Sequence, residues 1–196
     1  MKKFTKFALM AALFVFVGAP SMYAQSFKKG NVIITAGYGL GNLSKAVFKT
    51  YSDNTGFKMS SFGPAFGKVE FAVSDKVGIG LNVAHIAVDA NYQTDDNYQG
   101  NIDFQNTSVL GRINIHFANS EKFDAYWGAG LGYKFGRWKY TDNDPNTTGN
   151  AEIPTIIPFG FETTVGVRYF FIPNVGVYAE LGIAKAPIQF GVSAKF

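Results

Sequence analysis

The sequence predicts an all-β fold, an eight-stranded antiparallel barrel in which each strand pairs with its neighbours along the chain. Three observations predict it: apolar and polar residues alternate with period two in eight segments, short and long connections alternate between those segments, and glycine supplies 22 of 196 residues. The usual share of glycine is about 7%. The chain has no cysteine, which excludes a disulfide scaffold, a thiolate metal site, a cysteine nucleophile and a lipidated cysteine anchor.

The first 24 residues have the layout of a secretory signal peptide. Lys2, Lys3 and Lys6 precede an apolar run over Phe7–Val17, which is too short for the ~20 residues of a spanning helix. We predict cleavage after Ala24, with cleavage after Ser21 as the alternative, so that residues 1–24 are the signal and residues 25–196 are one barrel domain. The 18 basic residues less these three leave 15 against 14 acidic ones, so the formal charge of +4 is no sign of nucleic-acid binding.

Eight strands are predicted from the alternation, each close to the ~9 to 11 residues of a tilted strand that crosses a bilayer. They cover Asn31–Gly41, Ser61–Val73, Val77–Ala87, Phe104–Phe117, Phe123–Gly136, Ile157–Phe170, Val175–Ala184 and Ile188–Phe196.

The connections alternate in length. Those after the second, fourth and sixth strands are tight turns, whereas Asn42–Ser60, Val88–Asp103 and Arg137–Ile156 are long, polar and rich in Asn, Asp, Thr and Gly. The remaining connection, around Lys185–Pro187, is short. Short turns at one end and long loops at the other are typical of an outer-membrane barrel.

The glycines decide which face points inward. In the fifth strand Trp127 and Leu131 share one face, and Gly128, Gly130 and Gly132 share the other with polar residues. On a sheet facing water such glycines would cost roughly 0.5–1 kcal/mol each. Inside a narrow barrel they make room for long side chains opposite. The polar, glycine-bearing face is therefore predicted to line the lumen, and the apolar face to contact lipid.

Charges of both signs fall on the predicted lumen face, where unpaired charges would be prohibitive. We expect them to pair into a network that fills the barrel, with Lys68, Glu70, Arg112 and Glu180 at similar heights. The predicted network consists of Lys68, Glu70, Arg112, Lys134, Glu162, Arg168 and Glu180.

The C-terminal stretch from Gly166, GVRYFFIPNVGVYAELGIA, followed by QFGVSAKF, resembles the last hairpin of small bacterial outer-membrane β-barrels. GKVEFAVSDKVGIGLNV and FDAYWGAGLGYKFG, from Gly67 and Phe123, are similar to the strand-turn-strand style of the same group. The chain thus resembles the outer membrane protein beta-barrel domain family, of the general kind of the OmpX and OmpA membrane domains. The resemblance implies the fold, an outer-membrane location and a role for the terminal Phe196 as the signal read by the barrel-assembly machinery. It carries no catalytic site.

Other candidate sites are weaker. The alternating glycines at Gly37–Gly41 and Gly128–Gly132 lie within strand patterns and lack the GxGxxG layout of a nucleotide loop. Asp142, Asp144 and Asn146 resemble the opening of a calcium loop, but the glycine and glutamate that such a loop requires are missing at their positions. His85 and His116 are predicted at opposite ends of the barrel, so we predict no metal site and no cofactor.

The sequence thus predicts an integral protein of the bacterial outer membrane that acts in envelope structure or in surface interaction through its long loops. Two alternatives are a narrow porin-like channel for small solutes and an outer-leaflet lipid-modifying hydrolase with His85 as its base. No nucleophile accompanies His85, so we predict no enzyme. Aromatic residues beside cations, such as Trp138 with Arg137 and Lys139, indicate contact with outer-membrane lipids and lipopolysaccharide. We expect a monomer.

Overall fold

A computed structural model describes residues 25–41, 58–93, 98–143, 150–154 and 158–196. The predicted signal peptide lies outside the described residues. Nine strand segments make up the fold: β1 Val32–Leu40, β2 Lys58–Ala72, β3 Val77–Gln93, β4 Gln99–Asn119, β5 Phe123–Asp142, β6 Asn150–Pro154, β7 Phe159–Ile172, β8 Val175–Ile183 and β9 Ile188–Lys195. Among the described residues no helix is long and apolar enough to cross a membrane.

The strands form one closed antiparallel barrel. Each segment pairs with the next along the chain from β1 to β5, and β7 pairs with β5 and β8. The barrel closes where β1 pairs with β9, from Ile33 opposite Lys195 to Leu40 opposite Ile188. β6 pairs with the upper part of β5, and β7 pairs with the lower part of β5. β6 and β7 therefore share one of the eight positions around the wall. The predicted eight-stranded up-and-down barrel is confirmed.

The wall is much taller on one side than the sequence predicts. β3 continues to Gln93, β4 begins at Gln99 and β5 continues to Asp142, so the predicted loop Val88–Asp103 is wrong over most of its length. β6 also lies within a segment predicted to be a loop. We call the end of the barrel at which β3 and β4 are joined its upper end. The upper sheet consists of the paired parts of β2–β6 that lie beyond Phe62, Ala84, Ser108 and Gly136 toward that end. It rises beyond the ends of β1, β8 and β9.

The two faces of the wall exchange character between the lower barrel and the upper sheet. In the lower part of β3 Ile79 and Leu81 point outward, and Asn82 points inward and is buried. Higher on the same strand Ile86 and Val88 point inward and are buried. They form an apolar cluster with Phe104, while polar residues occupy the outer face. The upper sheet is thus built like a water-soluble structure, polar outside and apolar inside.

A β-bulge in β2 lies at this transition. The register between β2 and β3 shifts between Phe62 and Ala65, and Gly63 adopts a φ of +85°, a conformation that favours glycine. The Tyr38 hydroxyl accepts a hydrogen bond from Gly63 N at 3.0 Å, which fixes the bulge to the neighbouring strand. The extra residue changes which residues of β2 face inward above it.

Candidate functional site

The outer face of the lower barrel is a continuous apolar belt. Large apolar side chains point outward from all eight positions of the wall and are more than a third exposed. They include Ile34, Tyr38, Val69, Phe71, Ile79, Leu81, Ile113, Ile115, Trp127, Leu131, Val165, Val167, Val177, Leu181, Phe190 and Val192. Soluble monomeric proteins rarely expose apolar patches larger than a few hundred Å². A belt that runs around the molecule therefore requires an apolar surrounding.

The interior of the lower barrel is charged. Nine charged side chains of both signs among the described residues face the lumen and are less than a tenth exposed. Lys195 lies apart and donates to Gln25 O at 3.4 Å. The other eight form two layers, which we call the upper cluster and the lower cluster: Lys68, Glu70, Arg112, His116, Asp124, Glu162, Arg168 and Glu180.

The upper cluster is centred on Glu180 of β8. Lys68 Nζ donates to its Oε2 at 2.7 Å, and Arg112 Nη2 lies 3.1 Å from its Oε1. Tyr126 donates its hydroxyl to the same Oε1 at 2.8 Å. Arg112 also donates through Nη1 to Glu162 at 2.8 Å, so two cations face two carboxylates. Each carboxylate therefore has a cationic partner, as burial requires.

The lower cluster joins Glu70, Arg168, His116 and Asp124. Arg168 donates to Glu70 and, at 3.2 Å, to Asp124. His116 contacts both carboxylates, with Nε2 2.9 Å from Glu70 and Nδ1 2.6 Å from Asp124. Because ionised carboxylates only accept hydrogen bonds, both ring nitrogens of His116 carry a proton and the imidazole is a cation. This layer is therefore also electrically neutral.

Inward-facing glycines provide the space that these side chains occupy. A Cβ on Gly128 would lie 2.1 Å from Arg112 Nη2, and one on Gly78 would lie 2.0 Å from Glu70 Oε1. Gly37 has the same relation to the Tyr178 hydroxyl, at 2.2 Å. The glycines of β1 and β5 thus serve clearance inside strands, in agreement with the rejection of a nucleotide loop.

Six of the seven predicted network residues belong to these two clusters, and Lys134 does not. Glu70 pairs with Arg168 in the lower cluster, whereas Lys68 and Arg112 pair with Glu180 in the upper cluster. Lys134 lies nearer the mouth, beside an open cavity. Tyr126 and His116 belong to the clusters but not to the predicted network, although the parity of β4 places His116 on the polar face with Arg112.

The two clusters leave almost no free volume between them. The space beside Lys68, Glu70 and Arg168 is about 10 Å³, which is about one probe sphere the size of a water molecule. Below them the N-terminal segment closes the barrel: the ring of Phe27 is fully buried and stacks on His116, with centroids 3.4 Å apart. Asn119 holds this segment by accepting from Ser26 Oγ at 2.7 Å. The lumen is closed in this conformation.

Above the upper cluster the lumen opens into a cavity of about 320 Å³, which we call the mouth cavity. Its walls include Ile86, Leu110, Lys134 and Lys185, and Glu162 forms part of its floor. Lys185 lies in the β8–β9 turn and reaches across the lumen to β4, where its ammonium donates to Asn106 Oδ1 at 2.7 Å and Asn106 O at 3.0 Å. Burial and, to a smaller extent, the charge of Lys134 lower the pKa of Lys185 to about 7.

The remaining candidate residues lie apart from one another. His85 points outward on β3, with Nδ1 2.8 Å from Thr107 Oγ1, whereas His116 is in the lower lumen. Asp142 contacts the Tyr92 and Tyr140 hydroxyls, and Asp144 and Asn146 of the rejected calcium loop lie outside the described residues. Within the ranges that the structure covers, no group of three His, Cys, Asp or Glu side chains could hold a metal ion.

No protein-family model matches the chain, and no curated protein sequence matches it. Among solved structures, it is similar to the attachment invasion locus protein Ail of Yersinia pestis, with 13% identity, a TM-score of 0.49 and coverage of 86% of this chain and 99% of Ail. The N-terminal β-barrel domain of Pseudomonas aeruginosa OprF gives 18% identity, a TM-score of 0.40 and coverage of 86% and 99%. The outer membrane protein OprG of Pseudomonas aeruginosa gives 14% identity, a TM-score of 0.45 and coverage of 87% of this chain and 97% of OprG.

Proposed function

We propose that the chain is an integral protein of the bacterial outer membrane, in which a filled barrel carries a polar-surfaced sheet at the cell surface for envelope structure or surface interaction. The exchange of polarity along the wall is the observation that carries this proposal. The lower barrel presents its apolar side chains outward, where a lipid bilayer would cover them, and the upper sheet presents polar ones. The boundary between the two lies at paired positions on β3 and β4, Ala84 opposite Ser108, and two residues higher on β5.

The upper sheet is suited to contact with other molecules because hydrogen bonds join its strands and its outer face is polar. Tyr92 donates to Asp142 at 2.7 Å, across the top of three strands, and Gly100 leaves the room that the Tyr92 ring fills. Burial and the bonds to Tyr140 and Asp142 raise the pKa of Tyr92 well above its ordinary value, so this phenol stays protonated. The partners proposed for this surface are outer-membrane lipids and lipopolysaccharide beside the belt, and surface molecules above it.

Single-cysteine labelling tests the membrane assignment, because the chain has no native cysteine. Lys139 and Leu131 lie on the same outward face of β5, one in the upper sheet and one in the belt. We expect a membrane-impermeant maleimide to label Lys139→Cys on intact cells and to leave Leu131→Cys unlabelled. Lys122→Cys, in a short turn at the opposite end, should react only after the outer membrane is permeabilised.

Equal labelling of the Lys139→Cys and Leu131→Cys variants, or recovery of the folded protein from the soluble periplasm, would contradict the proposal. Heat-dependent mobility on a denaturing gel serves as the folding control for each variant.

The channel alternative is disfavoured by the two clusters that fill the lumen. We expect purified protein in planar bilayers to show no steady single-channel conductance at any salt concentration or voltage. Salt bridges of 2.7–3.1 Å join β2, β4, β7 and β8 across the lumen and must break for ions to pass. Reproducible conductance that disappears on cleavage of the protein would favour the channel instead.

Phe196 is proposed to act as the assembly signal. Its backbone N donates to Val32 O at 2.8 Å and its carbonyl oxygen accepts from Val32 N at 2.9 Å. Its side chain is exposed on the outward face at the lower end of the barrel. We expect Phe196→Ala to reduce the amount of heat-modifiable protein in the outer membrane severalfold. Phe171→Ala, an equally exposed phenylalanine at the same end, is the matched control. An equal loss in both variants would show that Phe196 contributes only apolar surface.

A further inference from the structure

The mouth cavity carries positive charge that no acidic side chain of the described residues neutralises. Lys134 and Lys185 both line it, and neither forms an ion pair in the part of the chain that the structure describes. The carboxylate on its floor, Glu162, is already engaged by Arg112 at 2.8 Å and by Asn82 at 2.7 Å. Each cation of the upper and lower clusters is paired with a carboxylate, whereas Lys134 and Lys185 at the mouth have no such partner among the described residues. An anion bound there would supply it.

Lys185 is held in place by neutral acceptors only. Its ammonium donates to Ala84 O at 3.2 Å and to both oxygens of Asn106. These bonds position the charge across the lumen from the β8–β9 turn, facing the cavity, without cancelling it. Gly160 leaves room for the Lys134 side chain, because a Cβ at this position would lie 3.2 Å from Lys134 Cε and 2.9 Å from Leu110.

Apart from Asn106, Ser108 and Glu162, the rest of the cavity lining is apolar. Ala84, Ile86, Phe104 and Leu110 form the inner wall on β3 and β4. A cavity of about 320 Å³ lies at the lower end of the roughly 300–1,000 Å³ range of small-molecule sites, which are mostly apolar with a few fixed polar groups. An inorganic anion would leave these walls without a partner.

The cavity also reaches the outer surface through the wall. Phe161 and Ile183 line it, yet they are 52% and 63% exposed on the outward face. The cause is the height difference between the strands: pairing of β7 with β8 ends at Thr163 and Ile183, so residues 160–162 have no β8 partner among the described residues. The gap opens at the upper rim of the apolar belt.

We propose that the mouth cavity binds an anionic amphiphile, with its head group between Lys134 and Lys185 and its apolar chain against Ile86 and Leu110. The ligand class is an anionic head group that places one apolar chain in the cavity, either a water-soluble amphiphile or a membrane lipid that inserts one of its chains through the gap beside β7. This inference goes beyond the proposed function, because a barrel can serve as a surface scaffold with an empty mouth.

Methyl NMR of the protein in zwitterionic phosphatidylcholine nanodiscs, with octanoate as the probe, tests the site. Ile86 and Leu110 report on the cavity, while Ile79 and Leu81 point into the lipid and report simple partitioning of the probe. We expect saturable shifts at Ile86 and Leu110 that octanamide, the neutral analogue, reproduces only weakly. Inorganic phosphate alone should have little effect.

The variants separate charge from packing. Lys134→Gln removes a charge without removing a hydrogen bond that the structure shows, and the double variant with Lys185→Gln removes both charges. We expect the apparent octanoate affinity to fall roughly tenfold or more in the double variant, because the octanoate carboxylate loses its charged partners at positions 134 and 185. Lys139→Gln, an exposed lysine on the outward face of the same strand as Lys134, should bind as the unaltered protein does.

Shifts confined to Ile79 and Leu81, or unchanged affinity in a folded double variant, would overturn the proposal. Nanodiscs that contain phosphatidylglycerol and no octanoate distinguish the source: cavity shifts there, reversed by octanoate, support a membrane lipid, and their absence with octanoate binding intact supports a soluble amphiphile. Heat-modifiable mobility and nanodisc insertion of each variant show whether the barrel itself has failed, which separates this inference from the membrane assignment.

Discussion

Replacing Arg112 with methionine is expected to lower the free energy of unfolding of the barrel by about 3–5 kcal/mol, the usual cost of removing one partner from a buried ion pair. The guanidinium contacts Glu162 at 2.8 Å and Glu180 at 3.1 Å, and both carboxylates are almost fully buried. Without it, Lys68 is the only cation left in the upper cluster for two negative charges. Urea unfolding of the protein in lipid vesicles measures the change.

Two further variants make this prediction specific to charge balance. Arg137→Met removes an arginine whose contact with Glu152 is long, at 3.9 Å, and exposed, so its effect should stay below about 1 kcal/mol. Combining Arg112→Met with Glu162→Gln restores neutrality and should recover part of the loss. A cost for Arg112→Met no larger than that for Arg137→Met would mean that the upper cluster does not stabilise the fold.

The lower barrel could be predicted from sequence because its two faces meet such different surroundings. In β5 Trp127 and Leu131 face the apolar surrounding, and Gly128 and Gly130 face a crowded lumen. An apolar surrounding outside and charged groups inside impose strict alternation, so the period-two pattern identifies both the strand and the orientation of its faces.

The upper sheet could not be predicted because the same alternation continues with the opposite sense. Val88 points inward and Asp89 outward, the reverse of Asn82 and Leu81 lower on β3. Asn and Asp, which are typical of loops, occupy the outer positions of this hairpin, so composition there favours a loop. The pairing of β3 with β4 up to Gln93 opposite Gln99 depends on contacts across the hairpin that composition does not reveal.

Within the lumen, parity indicates which side chains point inward but not which of them meet. Partners such as Lys68 and Glu180 lie on strands that are not adjacent, and their heights depend on the stagger of the closed barrel. This is why Glu70, two residues from Lys68 on the same face, pairs with Arg168 and not with the upper cluster. Phe27 could not be found at all from periodicity, because it precedes the first strand.

Replacing Phe27 with alanine is the second change with a large expected effect, a loss of about 3–5 kcal/mol of unfolding free energy. The ring is fully buried against His116, Ile33 and Ala72 at the bottom of the barrel. Its removal leaves a cavity beneath the lower cluster and exposes the charged face of His116 to water. The same urea titration in vesicles measures the loss, and hydrogen exchange of residues 26–33 should rise with it.

A matched variant separates the effect of the position of the Phe27 ring from the effect of its apolar area. Phe117→Ala removes the same atoms from the outward face of β4, where the ring is 63% exposed and borders lipid in the proposed orientation, so its cost should be clearly smaller. Equal costs for the two variants would contradict a role for Phe27 in closing the barrel.

Conductance should stay absent in Phe27→Ala, because the salt bridges above His116 still block the lumen. Opening by this single change would place the permeation barrier at the N-terminal segment instead of at the two clusters.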